Sequence, residues 1–118
     1  MEIEREELDD ELTVIRVSGD IDYPDVNRLL DELRASISDG PRHILINLSG
    51  CTSIVSSAIG VLVGWTPESA LAERKFGVVC PSPPVLDLLE RIGIEEALVR
   101  PQESEEEAVA AFRKELVD

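Results

Sequence analysis

An α/β fold is what this sequence predicts, with a mixed sheet of about five strands and about four helices in the order β-β-α-β-α-β-α-β-α. Three observations carry that expectation. Runs rich in β-branched residues recur at 12–18, 43–48 and 76–80. Between and after them, apolar residues fall three and four apart, the spacing of one helix face. The alternation of the two patterns implies parallel strands joined by helical crossovers. A length of 118 residues suits one domain, 1–118, with a modest aliphatic core.

Each element follows from its own residues. Met1 to Leu8 is polar and weakly alternating, as an edge strand is. Asp9-Asp10-Glu11 makes the turn to the strand Leu12–Ser18, and the pair reads as an antiparallel hairpin. Gly19-Asp20-Ile21-Asp22 closes that strand. Tyr23 stands before a proline and is pushed out of the helical region, whereas Pro24 suits a first helical position. Val26, Leu29, Leu30, Leu33 and Ile37 then form one apolar stripe, stopped by Asp39-Gly40-Pro41. His43–Leu48 is the most apolar strand and the central one. A short turn leads from it to Ser56 or Ser57 at the start of a second helix, with Ala58, Ile59, Leu62 and Val63 toward the core. Pro67 interrupts this pattern, and the helix restarts after a kink and runs to about Lys75. Phe76–Cys80 is a further strand. Ser82 caps and Pro83 opens a third helix, with Val85, Leu88, Leu89 and Ile92 on one face and Gly93 as its stop. Ala97-Leu98-Val99 is a short last strand. Ser104 and Glu107 form a capping box for a final helix carrying Val109, Phe112 and Leu116. Right-handed crossovers place the helices of one parallel run on one face of the sheet.

Composition excludes several functions. Eleven Lys and Arg stand against 25 Asp and Glu, a formal net charge of -14. Nucleic acid phosphates and anionic membrane surfaces repel such a chain, so neither is an expected partner. A protein with a basic face is. Cys51 and Cys80 are too few for a disulfide framework. The chain opens on no basic-then-apolar leader, and no apolar run approaches the ~20 residues of a membrane span. Cytoplasmic residence with reduced thiols is the expectation.

Little in the chain reads as catalytic. His43 is the only histidine, at a strand start, with no cysteine or carboxylate at metal-ligand spacing. Its expected role is structural, and no metal or cofactor is expected. No Gly-rich phosphate loop exists; Gly60 and Gly64 lie inside a helix pattern, where they allow close packing. Ser56 lacks the flanking glycines of a nucleophile elbow and has no second histidine as base. Asp20 and Asp22 form a carboxylate pair that serves either acid–base or cation chemistry, or the shape of the turn. The 103–107 acidic run reads as a solvated helix start, where negative charge is favoured. Trp65 is either core or exposed for a partner. Ser56 and Ser57 remain. Either residue can cap the second helix, at about 1 kcal/mol. An exposed hydroxyl there can also accept a phosphoryl group, whose dianion gains from the helix N-terminus and spoils any interface built over it.

Three segments resemble the anti-sigma-factor antagonist branch of the STAS domains (sulphate transporter and anti-sigma-factor antagonist). Val17-Ser18-Gly19-Asp20-Ile21-Asp22 is similar to the family's strand ending in a Gly-x-[Leu/Ile]-Asp turn. Ile46-Asn47-Leu48 is similar to its central strand. Ile54 to Leu62 is similar to its Asp-Ser-Ser/Thr-Gly-Leu-Gly helix start. Val78-Val79-Cys80, Val85 to Leu89 and Gly93-Ile94 fall in the family's order, so the likeness spans about Glu11 to Val117. It implies a small bacterial cytoplasmic binding module in transcription regulation, not an enzyme. It implies an anti-sigma factor that is also a serine kinase as partner, and a monomer or weak dimer. Phosphorylation maps to Ser57, with Ser56 as the alternative. The contact surface implied is Asp20, Asp22, Tyr23, Ser53, Ile54, Val55, Ser56, Ala58 and Ile59. Two positions depart from the pattern. Val55 replaces the family's aspartate, which makes the contact more apolar, and Ala58 replaces its glycine, which adds a methyl group where a kinase approaches. A non-switching scaffold or stress-sensing subunit, and a cytoplasmic accessory of a membrane transporter, are the other roles implied.

Overall fold

The computed structural model describes residues 1–39, 43–62, 76–79, 81–92, 99–100 and 104–117. The readings at Gly40, Pro41, Val63, Gly64, Trp65, the Pro67 kink, Cys80, Gly93, Ala97 and Leu98 lie outside them, as do those of the Ile37, Ile92 and Leu116 side chains. The strands are β1 (Glu2–Glu7), β2 (Leu12–Ile21), β3 (His43–Ile54), β4 (Phe76–Val79) and β5 (Val99–Arg100). The helices are α1 (Val26–Asp39), α2 (helical over 56–62), α3 (Pro83–Ile92) and α4 (Glu105–Val117). The five strands lie side by side in chain order, β1 antiparallel to β2 and the rest parallel. The predicted class and element order hold.

The hairpin turn is built by Asp9. Its Oδ1 accepts the N–H groups of Glu11 at 2.8 Å and Leu12 at 3.1 Å. Its Oδ2 accepts Arg113 Nη1 at 2.5 Å, which pins α4 to the turn. The Glu11 N–H first, then Arg113, then the Leu12 N–H hold the Asp9 carboxyl below the usual carboxylate range.

Strand alternation divides the core in two. Ile15, Val17, Ile44, Ile46, Leu48 and Val78 face α1, α2 and α3, which bring Leu29, Leu33, Ala58, Ile59, Leu62, Val85 and Leu89. Leu12, Val14, Leu45 and Val79 face the other way, onto Ala108 and Phe112 of α4. The three crossover helices therefore share a face, as right-handed connections require. The final helix covers the opposite face with Ala108 and Phe112 buried, while Val109 is only half-buried. His43 is buried there, its ring edge-on to Phe112 at 5.7 Å and 71°. That is a packing role, worth about 0.5–1.5 kcal/mol beyond area burial.

Two strands run longer than the sequence suggests. β2 continues through Gly19 and Asp20 to Ile21, and β3 continues through the segment read as a short turn to Ile54. The pairing explains why. Arg16 faces Asn47 but Ser18 faces Gly50; Gly19 faces Cys51 but Asp20 faces Ser53. Each step inserts one extra residue into β3, a pair of β-bulges. Each bulge reverses the inward–outward phase. The result is a three-residue rhythm in which Leu48, Cys51 and Ile54 point inward and the two residues between them point out. Gly19 takes φ 81° at the second shift, a conformation that L side chains rarely adopt. Beyond the end of β4, Ser82 takes over as neighbour of β3: its N–H donates to Leu48 O at 3.3 Å and its hydroxyl to Cys51 O at 2.5 Å. Ser82 thus starts α3 through its carbonyl, which accepts Leu86 N–H at 2.8 Å, and spends its hydroxyl on β3.

Candidate docking and modification site

The C-terminal ends of β2 and β3 bring the β2–α1 turn and the start of α2 together. Ile21 pairs with Ile54, and Val55 N–H donates to Ile21 O at 3.1 Å. Ligands and partners of open α/β sheets gather at this end of the strands.

Val55, not a serine, occupies the cap position of α2. Its carbonyl accepts Ala58 N–H at 3.0 Å and Ile59 N–H at 3.3 Å. Its side chain has no oxygen to offer the first free N–H groups of the helix. Ser56 and Ser57 are the first two helical residues, and both are exposed. The expectation that one of them caps the helix is corrected on that ground. Their hydroxyls form no hydrogen bond among the described residues, so they carry no structural duty there.

Asp20 and Asp22 take separate partners. Asp20 Oδ1 accepts the hydroxyls of Thr52 and Ser53, the latter at 3.0 Å. Those two bonds, Thr52 first, keep its carboxyl below the ordinary carboxylate range. Asp22 shapes the turn: its N–H donates to Asp25 Oδ2 at 2.9 Å and its carbonyl accepts Asp25 N–H at 2.9 Å. Residues 23–25 form a single 3-10 turn, so α1 proper begins at Val26, two residues later than Pro24 suggests. Tyr23 stands 77% exposed on that turn.

Three residues of the implied contact surface face inward instead. Ile54 is 7%, Ala58 0% and Ile59 3% exposed, all within the α1–α3 core. Ile54 is the inward residue of the β3 rhythm, and Ala58 and Ile59 lie on the α2 face that packs on the sheet. The Ala58 methyl therefore fills core rather than obstructing an approach. Val55 is half-buried against the same core. The outward set is Asp20, Asp22, Tyr23, Ser53, Ser56 and Ser57.

Two features of this end escaped the sequence. Gly60 is exposed, and among the described residues a Cβ built on it meets nothing within 4 Å, so there it faces an open surface rather than the close packing expected of it. Thr52 joins Ser53 on Asp20. The signal for Thr52 was the spacing of three between Leu48, Cys51 and Ile54, which belongs to neither a flat strand nor a helix.

The opposite face carries its own polar cluster. Arg16 meets Glu4 at 2.7 Å, Glu6 at 2.8 Å and Glu105 at 2.8 Å, and Asn47 Nδ2 donates to Glu105 at 2.9 Å. Arg16 chiefly, then Asn47, lowers the Glu105 carboxyl. Glu105, read as solvated, thus docks the first turn of α4 on the sheet. Above it lies an open concavity of about 550 Å³ lined in part by Arg16, Ser18, Asn47 and Ser49. Of its two guanidinium groups, Arg16 is taken by three carboxylates, and Arg28 Nη1 donates to Met1 O at 2.9 Å. Among the described residues no group of three or more His, Cys, Asp or Glu could hold a metal ion. No helix there is long and apolar enough to cross a membrane.

Known proteins share this architecture. The unphosphorylated anti-sigma factor antagonist SpoIIAA is 24% identical at a TM-score of 0.82, over 96% of this chain and 97% of its own. SpoIIAA of Bacillus in the phosphorylated form gives 22% and 0.75, over 95% and 100%. An anti-sigma factor antagonist from Mycobacterium paratuberculosis gives 26% and 0.80, over 95% and 93%. No curated protein sequence matches the chain. A STAS domain profile matches residues 2–108, and with the shared architecture this places the chain in the STAS domain family.

Proposed function

We propose that residues 1–118 act as one protein-interaction module of the anti-sigma-factor antagonist type, in the cytoplasm, with an anti-sigma factor/serine kinase as partner. The docking surface is the β2–α1 turn with the start of α2: Asp20, Asp22, Tyr23, Ser53, Val55, Ser56 and Ser57. Ser57 is the phosphoacceptor, with Ser56 as the alternative. The observation that carries the reading is the Ser57 hydroxyl, exposed and without a hydrogen bond among the described residues, at a helix start flanked by an exposed tyrosine turn. A phosphate on it gains from the helix N-terminus, so the free module stays folded. A partner seated over the same spot meets a desolvated dianion and loses its fit. Switching then acts on the complex and not on the fold.

The test is titration calorimetry of the anti-sigma kinase against Ser57→Ala and Ser57→Asp. The Ala variant keeps wild-type affinity, and the Asp variant loses about tenfold or more. Equal affinities would remove the switch. A non-switching scaffold is the second reading. Val55 favours it, since the cap position carries no carboxylate beside the acceptor. A large assembly that persists on dilution, with no phosphate on Ser57 from its native cell, would establish the scaffold.

A further inference from the structure

Four exposed hydroxyls lie between residues 52 and 57: Thr52, Ser53, Ser56 and Ser57. A kinase approaching this end of the sheet meets all of them. Exposure does not separate them, but hydrogen bonding does. Thr52 and Ser53 both donate to the same oxygen of Asp20, and Ser56 and Ser57 donate to nothing among the described residues. The double engagement comes from the second bulge of β3. Without the extra residue, Thr52 and Ser53 would point to opposite faces, as neighbours in a strand do. With it, both point outward opposite Asp20 while Ile54 returns to the core.

We infer that Asp20 selects where this protein is phosphorylated, tying up Thr52 and Ser53 and leaving Ser57 and Ser56 as the open acceptors. The inference rests on the phosphoacceptor reading given above. In the transfer, the hydroxyl oxygen bonds to the γ-phosphorus of a nucleoside triphosphate held by the kinase. The bond from that phosphorus to the bridging oxygen of the departing diphosphate breaks, and the hydroxyl proton passes to a base on the kinase. At Thr52 and Ser53 that proton is directed at Asp20, so it is not free for the kinase base. The product is opposed as well. Ser53 Oγ is 3.0 Å from Asp20 Oδ1, so a dianion built there lies against a carboxylate. At Ser56 and Ser57 no such carboxylate contact is made, and the helix start favours the new charge.

Wild-type protein, Asp20→Ala and Asp20→Asn are expressed in the native cell and compared by intact mass and phosphopeptide mapping. Asp20 is exposed, and superimposable far-UV dichroism confirms that each variant is folded. Wild type carries phosphate on Ser57 or Ser56 alone. In Asp20→Ala, occupancy of Thr52 or Ser53 rises by about tenfold or more, the effect of freeing a charge-assisted hydrogen bond. Asp20→Asn keeps an acceptor oxygen without the charge and falls between. Thr52 and Ser53 as unmodified in Asp20→Ala as in wild type would overturn the selection. Their modification in wild type alongside Ser57 would overturn it too, while leaving Ser57 as acceptor. Phosphate on neither residue pair in any of the three proteins would overturn the acceptor reading and this inference with it.

Discussion

Replacing Gly60 by Ala separates the stability of this module from its docking. Gly60 follows Ser56 by four residues and Ser57 by three, so all three share one face of α2. A methyl group there meets no atom of the described residues within 4 Å, and the position needs no positive φ. The substitution therefore gains about 0.4–1 kcal/mol, mostly from reduced backbone freedom in the unfolded chain. At an unfolding entropy near 2.1 cal/mol/K per residue, 118 residues give about 0.25 kcal/mol/K, hence a rise in Tm of roughly 2–4 °C. In a complex seated on this face the same methyl is overpacked, which costs about 1–3 kcal/mol, or roughly five- to 150-fold in affinity. Thermal dichroism of the free protein and calorimetric titration with the proposed anti-sigma kinase partner read the two effects separately. A lower Tm would contradict the open space above Gly60. A higher Tm with unchanged affinity would move the docking surface away from α2.

Other substitutions test the parts around the site. Thr13 is 0% exposed and its hydroxyl has no hydrogen-bond partner among the described residues, so Thr13→Val should stabilise by about 1 kcal/mol, read as a higher urea midpoint at unchanged m; a lower midpoint would mean the hydroxyl is satisfied in solution. Val55→Thr supplies the missing cap oxygen to the free Ser57 N–H and should add about 0.5–1 kcal/mol, with slower amide exchange across 57–59; unchanged exchange would refute the cap assignment. Glu105→Gln weakens the tie between α4 and Arg16 and should cost about 1 kcal/mol in a urea titration. Because the folded Glu105 carboxyl lies below its ordinary value of 4.5, its contribution is complete above that value and is lost as pH falls through the lower folded one. The Gln variant should therefore show a shallower acid limb in stability against pH, and an unaltered limb would assign it elsewhere.

What could be read from the chain, and what could not, follows from which interactions are local. The helix stripes, the Asp9 turn and the Ser104 start of α4 are set by neighbours within four residues. The last is seen directly, with Glu107 N–H on Ser104 Oγ at 3.2 Å. Each was legible. The bulges of β3 were not, because they exist only in its pairing with β2, where Gly50 lies so close to Ser18 that a Cβ would meet Ser18 Cβ at 3.0 Å. The cap of α2, expected at Ser56 or Ser57, lies one or two residues earlier for a related reason. Val55 is a poor cap by its own chemistry, and its position is fixed by the bond to Ile21 O and by core contacts. Arg16 and Glu105 are 89 residues apart in sequence, so their pairing left no mark on local pattern. Of the implied contact set, the polar members and Tyr23 are exposed. Ile54, Ala58 and Ile59 belong to that set through the motif; the helical spacing of Ala58 and Ile59 already turns them inward, whereas Ile54 turns inward only through the β3 bulges.

The placement of Ser57 depends on what lies behind α2 and not on what surrounds the hydroxyl. Ile54, Ala58, Ile59 and Leu62 anchor the helix start in the core, and Val55 N–H joins it to β2. Asp20 accepts two hydroxyls from the preceding bulge. Nothing on the outward side holds Ser56 or Ser57 among the described residues. A surface anchored from within and bare outside can change its charge without changing its shape. Ser57→Ala and Ser57→Asp should accordingly both unfold within about 0.5 kcal/mol of wild type in urea, since surface changes away from such anchors are nearly neutral. The small excess goes to the Asp variant, whose charge sits at the helix start. A loss beyond about 1 kcal/mol in either variant would show that the hydroxyl supports the fold. Binding differences between the two could then no longer be assigned to the docking surface alone.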